Sequence, residues 1–553
     1  MNLYSASKEY RNALDDEKCK KDGIYYTPEA IVKLMVEELF REVDISDNIK
    51  ILDIASGCGL FFSEIIEYFS KKADEKSEEY IEKVISESLY AIEKDGGSVE
   101  ILKNYITGKY EASADINRNV FADDALFPKN RFIKNGMFDY IIGNPPYVGH
   151  KNIDGEYAKK LRNEFKDIYV NKSDLYYCFF KKAMDYLKDG GVCSFIVPRY
   201  FLESQSALGV RNFLEKNAEI LNIFDFRNCD VFSKNIGITP CIITFRKRSR
   251  LFDSSDEKNM KIKIIQDKED LDYLLSGNNT NSDGVLFKDD TSWAVITEKE
   301  KKIMDSIKKK EIYKLGDIVD SYQGVITGCD KAFILKEDSE LLKDIDLGIC
   351  KRWIKSKNIK SYNIEESDKV LLYTDSLATL ENSGLKNHLL EYEDKLDNRR
   401  EVLRGIRKWY HLQWGRQENI FEQEKIVYPF KSKNNRFALD RDNSFFSADV
   451  YFFTIKDEFK EKISYEYLLT LLNSGIYETY MHAFLKKMGN SVYEYYPYRL
   501  LETYIFIDEN YKIIENMGKL ILNEKNKSEK EQIMKKIDKT IEKSLKLTDF
   551  NKK

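Results

Sequence analysis

Over its first 250 residues the chain alternates short apolar runs with helical stretches, which constrains the fold more than any other feature. KILDIAS (50–56), LYAIEKD (89–95), NVFADDAL (119–126), FDYIIGNPPY (138–147), GGVCSFIVP (190–198) and PCIITF (240–245) read as strands. PEAIVKLMVEELFRE (28–42), LFFSEIIEYFSKK (60–72) and the stretches 96–108, 173–188 and 203–216 read as helices, the first behind a Thr27-Pro28 start. Strands alternating with helices predict a doubly wound α/β domain, a parallel sheet with helices on both faces. Such sheets place ligands at the carboxyl ends of their strands.

After Phe245 the texture changes. FRKRSRLFDSSDEKNM is charged and GNNTNSDG (277–284) reads as loop. The expected organisation is an N-terminal extension (1–22), the α/β domain (23–250), a connecting region (251–310) and a mixed α+β domain (311–553). The last of these ends in a charged surface helix over 523–547. A length of 553 residues suits two to four domains, and 42% hydrophobic with 33% charged residues excludes a disordered chain.

Lys plus Arg number 89 and Asp plus Glu 94, so the formal charge is −5 and a uniformly basic coat is excluded. Any nucleic-acid surface must be a local patch. No run approaches 18 apolar residues, so no membrane span is expected. MNLYSASKEYRNALDDEKCKK lacks the apolar core of a signal peptide, and a cytoplasmic location is expected. Eight cysteines without a CxxC pair and four histidines support neither a disulfide framework nor a metal site.

Four motifs sit where chemistry belongs. Asp53-Ile54-Ala55-Ser56-Gly57-Cys58-Gly59 joins a strand to a helix. Its glycines let backbone approach a ligand, and the helix start favours an anionic group. The dinucleotide fingerprint is incomplete, because position 62 is Phe. Glu93 ends the next strand, where a carboxylate can accept the ribose hydroxyls of a nucleoside-like cofactor; Asp95 competes for that role. Asp124 ends another, placed to take a proton from an adenine amino group, with Asp123 as its rival. Asn144-Pro145-Pro146-Tyr147 closes FDYIIG. Consecutive prolines cannot continue a ladder and make a rigid loop. The Asn144 oxygen and the Pro145 carbonyl are fixed acceptors for the two hydrogens of a planar amino group, and Tyr147 offers a ring for stacking.

This ordered set resembles the S-adenosylmethionine-dependent adenine methyltransferases of the gamma class. The resemblance implies a Rossmann-like methyltransferase domain followed by a C-terminal target-recognition domain. It assigns catalysis to Asn144, Pro145, Pro146 and Tyr147, and cofactor binding to Asp53, Ala55, Gly57, Gly59, Glu93 and Asp124. GIYYTP (23–28) resembles the family's additional cofactor motif through Tyr26, Thr27 and Pro28. DVFSKNIG (230–237) resembles the motif whose aromatic residue holds the flipped base, here Phe232, for which core packing is an equal reading. PPYVGHK, PRYFLES (198–204), QGVITGCDKAFIL (323–335), RKWYHLQWGR (407–416) and SADVY (447–451) extend the likeness to the orphan sporulation-associated adenine methyltransferases of spore-forming clostridia. That likeness implies double-stranded DNA as partner and an asymmetric A-rich site, for which a monomer is adequate. The 22 residues before Gly23 are too few for a nuclease domain, so no fused nuclease is expected. Two departures stand out: Ala55-Ser56 where many relatives carry proline, and Gly96-Gly97 after the acidic strand. Pro240-Cys241 matches the nucleophile dipeptide of cytosine methyltransferases, but it lies in an apolar run and reads as core strand.

The stretch 398–436 carries ten Arg or Lys against four Glu, interleaved with aromatic rings. Arg399, Arg400, Arg404, Arg407, Lys408, Arg416, Lys431 and Lys433 are candidates for phosphates and guanine edges, with Trp409 among them. Gln413 and Asn434 suit adenine edges. Solvated loops paired with neighbouring acids are the plain alternative. Methylation of RNA or of a protein amide, and a catalytically silent DNA-binding regulator, are the competing functional readings.

Overall fold

The computed structural model describes residues 3–15, 17, 23, 25–43, 49–72, 78–110, 116–170, 172–227, 229, 231–232, 238–249, 260–277, 283–289, 292–488 and 491–547. Ile24 of GIYYTP and residues 230 and 233–237 of DVFSKNIG lie outside the described residues, as do 251–259, 278–282 and 290–291 of the connecting region and most of 16–22. The chain divides into two units, Met1–Glu298 with Met488–Ser491, and Lys299–Lys487 with Val492–Lys553.

The first unit is built on one eight-stranded sheet. Its strands are β1 (Ile51–Asp53), β2 (Leu89–Glu93), β3 (Val120–Ala122), β4 (Phe138–Gly143), β5 (Leu187–Pro198), β6 (Ala218–Asp225), β7 (Pro240–Lys247) and β8 (Lys261–Ile264), in the order β3-β2-β1-β4-β5-β7-β6-β8. β3, β2, β1, β4 and β5 run parallel, and β7 is antiparallel between β5 and β6. Successive side chains point to opposite faces of a strand, and both faces here are apolar. Leu52, Ile92 and Ile141 join a core containing Phe180 and Leu214, from the helices Tyr176–Tyr186 and Leu208–Asn217. Their neighbours Ile51, Ala91 and Ile142 join another, containing Val36, Phe62 and Leu102, from the helices Glu29–Phe40, Leu60–Lys72 and Gly96–Lys109. This is the doubly wound α/β architecture that the alternation implies.

Two elements differ from the sequence expectation. AEILNIFD forms β6, which was not singled out because Glu219 and Asn222 interrupt its apolar character. β8 and a hairpin of β9 (Gly284–Asp289) and β10 (Ser292–Thr297) fall inside the stretch read as a connector, yet β8 extends the main sheet and the hairpin packs on its core. Cys241 lies on β7 with no exposure, and burial pushes its thiol well above the usual range, so it serves the core.

The second unit holds one four-stranded sheet of Val319–Gln323, Val450–Ile455, Lys425–Pro429 and Ala438–Asp440, and another of Ile334–Lys336, Lys369–Leu372, Cys350–Ile354 and Phe445–Phe446. The tail helix Lys527–Ser544 is charged outside and buries Ile537 and Ile541. Among the described residues no helix is long and apolar enough to cross a membrane.

Candidate active site

β1 and β4 are adjacent and parallel, and Asp53 is in register with Ile142. The Asp53–Gly59 turn and the Asn144–Tyr147 loop therefore leave neighbouring strands at the same sheet edge. A side-chain carbon on Gly143 would stand 3.7 Å from Asp53 Oδ1.

The turn needs its glycines. Gly57 has φ +52° and Gly59 φ +84°, the left-handed region where only glycine is unstrained. The space over Gly57 is taken by the Tyr26 ring, 3.3 Å from where a side-chain carbon would lie, and the Tyr26 hydroxyl meets Cys58 Sγ at 3.2 Å. Asp53 is buried, and its carboxylate meets no cation and no side-chain donor among the described residues; only the Ala55 and Phe62 backbone amides approach it. Burial, with Glu93 adding repulsion, holds its carboxyl well above the usual range. A buried carboxylate with no cation beside it among the described residues favours a cationic ligand. The half-buried Ala55 follows with only a methyl group.

The four acids of the two pairs make different hydrogen bonds. Glu93 Oε2 accepts from Gly57 N and Oε1 from Asp95 N, both at 2.9 Å, which fixes the carboxylate beside the glycine turn; burial raises its carboxyl. Asp95 instead caps the helix Gly96–Lys109, accepting from Ser98 N, and takes the Tyr10 hydroxyl at 2.7 Å. Gly97 is explained by the same contact, since a side chain there would collide with the Tyr10 hydroxyl. Asp123 is spent on its own loop, accepting from Lys129 N and Asn130 N. Asp124 accepts from Leu126 N at 3.0 Å and from the Tyr157 hydroxyl at 2.7 Å, with Lys94 Nζ 3.4 Å away. Tyr10, Tyr157 and Lys94 were missed from sequence: single polar residues inside helices or loops carry no spacing signal.

Asn144 Nδ2 donates to the Tyr25 carbonyl at 2.7 Å and to Thr27 Oγ1 at 3.1 Å. A carbonyl only accepts, so the nitrogen must face Tyr25 and the oxygen must face away. That oxygen, Oδ1, is buried without a partner. Thr27 is itself buried, and Pro28 starts the helix Glu29–Phe40 behind it. Pro145 is buried and Pro146 half-buried. The Tyr147 hydroxyl donates to the Ile196 carbonyl at 3.1 Å, which anchors the ring, and burial raises its phenol. Its ring centroid lies 5.5 Å from Tyr25, 6.1 Å from Tyr176 and 6.1 Å from Phe232. Phe232 thus stands beside Tyr147 while also packing in the core.

Residues 33–232 match the family model of the Eco57I restriction-modification methylase, and residues 351–503 that of the TaqI-like C-terminal specificity domain. The chain is related to the Type II restriction-modification DNA methyltransferases. It is 22% identical to the Type II methyltransferase M.BstVI of Geobacillus stearothermophilus, over 86% of this chain and 88% of that one. With M.HindII of Haemophilus influenzae the identity is 26%, over 83% and 85%. Its fold is similar to that of the Type IIL restriction-modification enzyme MmeI in complex with DNA, with a TM-score of 0.67, 16% identity, and coverage of 99% of this chain and 79% of that one.

In the stretch that matches the specificity-domain model, the basic candidates fall into two groups. Arg399 is a correction to the sequence reading: it is buried and donates to the carbonyls of Leu396, Thr327 and Trp409, so its charge braces a loop. Arg407 pairs with Asp375 at 2.6 Å, Arg416 donates to Gln323 Oε1 and the Gly324 carbonyl, and Gln413 donates to Glu401 at 3.0 Å. These three are likewise committed within the protein. Trp409 is half-buried against the core, and Lys408 is exposed but reaches the Ala378 carbonyl. Arg400, Arg404, Lys431 and Lys433 are exposed and make no ion pair among the described residues, Lys431 lying over the Phe430 ring.

Proposed function

We propose that this chain is a site-specific adenine methyltransferase acting on duplex DNA, with S-adenosylmethionine as methyl donor and the exocyclic 6-amino group of a flipped-out adenine as acceptor. One observation carries the reading: the buried, unpartnered Asn144 Oδ1 and the buried Asp53 carboxylate, which meets no cation among the described residues, lie at the carboxyl ends of adjacent parallel strands. The first suits the hydrogens of an amino group, and the second suits a cation.

Asp53, Glu93 and Asp124, with the Gly57 and Gly59 backbone, are the groups to hold the cofactor. When bound, S-adenosylmethionine supplies an electrophilic methyl group on a sulfonium. Asn144 Oδ1 and the Pro145 carbonyl accept hydrogen bonds from the adenine amino group and turn its lone pair out of conjugation, an effect of orientation and electrostatics. Tyr147, held through its hydroxyl, and Phe232 enclose the base with aromatic surface. Extrusion of the base costs roughly a few kcal/mol, offset by contacts to the surrounding duplex. Arg400, Arg404, Lys408, Lys431 and Lys433 are the candidates for those contacts. The relatives are Type II methyltransferases by name, and the MmeI structure with a similar fold is a complex with DNA, which supports DNA as substrate. The segment resemblances support an orphan, sporulation-associated enzyme that works as a cytoplasmic monomer on an asymmetric A-rich site.

The test is tritium transfer from labelled S-adenosylmethionine to duplex DNA, structured RNA and protein side by side. Label recovered as N6-methyladenine in duplex DNA supports the reading. Label in RNA or protein instead, or none, overturns it.

A further inference from the structure

The basic stretch contains two exposed apolar side chains that neither its charge pattern nor the family resemblance assigns. Leu403 is 71% and Ile406 58% exposed, separated only by Arg404 and Gly405. Single exposed apolar residues are ordinary, but this pair sits on a turn that is firmly held. Gly405, at φ +70°, donates to the Val402 carbonyl, and Ile406 N and Arg407 N both return to the Glu401 carbonyl. The base of the turn is pinned by buried Arg399 on three carbonyls and by Gln413 on Glu401, the nearest acid. Arg400 precedes the pair and Arg404 lies within it, both exposed and without an ion pair among the described residues.

We infer that Leu403 and Ile406 form an apolar wedge that enters duplex DNA at a base step, with Arg400 and Arg404 on the adjoining phosphates. The inference rests on the reading of the chain as a DNA-binding enzyme. Its occupant is set by complementarity: an apolar tip ringed by unpaired cations matches stacked bases bordered by phosphates. Leu and Ile are among the residues that unstack base steps in this way. The held turn presents both side chains with little ordering left to lose on binding. The wedge is one source of the duplex distortion that base extrusion requires.

Two surface double variants separate the parts, L403A/I406A and R400A/R404A; unchanged thermal melting shows that each is folded. Binding is followed by anisotropy on a random-sequence duplex and on a duplex carrying the site found by methylation mapping, both with 2-aminopurine placed at successive steps. The wild type raises 2-aminopurine fluorescence at one step. L403A/I406A weakens binding about tenfold, keeps the salt dependence and loses that fluorescence rise. R400A/R404A keeps the rise and lowers the slope of log affinity against log salt by about 2. The wedge is overturned if L403A/I406A binds and enhances fluorescence as the wild type does, or if the chain binds a protein through this tip and leaves 2-aminopurine dark. Neither binding readout needs methyl transfer, so failure of the proposed reaction shows up separately in the tritium assay.

Discussion

Asn144 donates a 3.1 Å hydrogen bond to Thr27 Oγ1 across 117 residues of sequence, and the Tyr25 carbonyl takes the other amide hydrogen at 2.7 Å. Two motifs that sequence treats as separate, GIYYTP and NPPY, are therefore one device. The first sets the orientation of the second and leaves the Asn144 oxygen buried without a partner.

Thr27→Val removes the hydroxyl acceptor and keeps the shape. A net hydrogen bond is worth about 1 kcal/mol, so kcat should fall about fivefold to tenfold while KM for S-adenosylmethionine stays near its wild-type value. Thr27→Ser should restore the rate. Steady-state kinetics decide: a raised cofactor KM with unchanged kcat would assign Thr27 to cofactor binding instead of Asn144.

Asp53 has a carboxyl raised in the folded protein by burial and by Glu93. Between its unfolded and folded values, the folded state holds a proton that the unfolded state has lost. Ligand-free stability therefore falls as pH rises through that window and then levels off. A cation bound beside Asp53 favours the ionised form, so cofactor affinity should rise with pH through the folded value. Asp53→Asn should flatten this rise, weaken cofactor binding at least tenfold and raise the ligand-free melting temperature at pH 7 by roughly 2 °C or more. Calorimetric titration across pH checks the affinity; a wild-type profile in the variant would remove Asp53 from the site.

Arg399 and Lys433 are both basic residues of one stretch, yet they should respond differently. Arg399→Ala removes a donor from three carbonyls, of which Leu396 and Thr327 keep a backbone N–H and Trp409 loses its partner, and should cost about 1–3 kcal/mol of stability, read by denaturant unfolding. Lys433→Ala should leave stability unchanged and lower the salt slope of DNA binding by about 1. A stable Arg399→Ala with a reduced salt slope would return Arg399 to the DNA surface.

The sheet was legible because its central strands are apolar on both faces. Neighbours such as Leu52 and Ile51 serve opposite cores, and this leaves continuous hydrophobic runs in the sequence. β6 was not, because an outer strand tolerates Asn222 and Glu219. Asp53, Glu93 and Asn144 were legible as motif positions at strand ends. What each acid bonds to was not legible, because capping and ligand binding use the same residue type: Asp95 caps a helix and Asp123 holds its own loop. Arg399 was misread for a related reason: charge density in a sequence does not say which guanidinium turns inward.

Base-resolution methylation mapping of DNA from cells expressing the wild type or Asn144→Ala tests the central claim most directly. The expected result is N6-methyladenine at one adenine of one A-rich motif, on one strand, present with the wild type and absent with the variant, while purified Asn144→Ala still binds cofactor and duplex. Methylation that persists in the variant, or that falls on cytosine, would contradict the account.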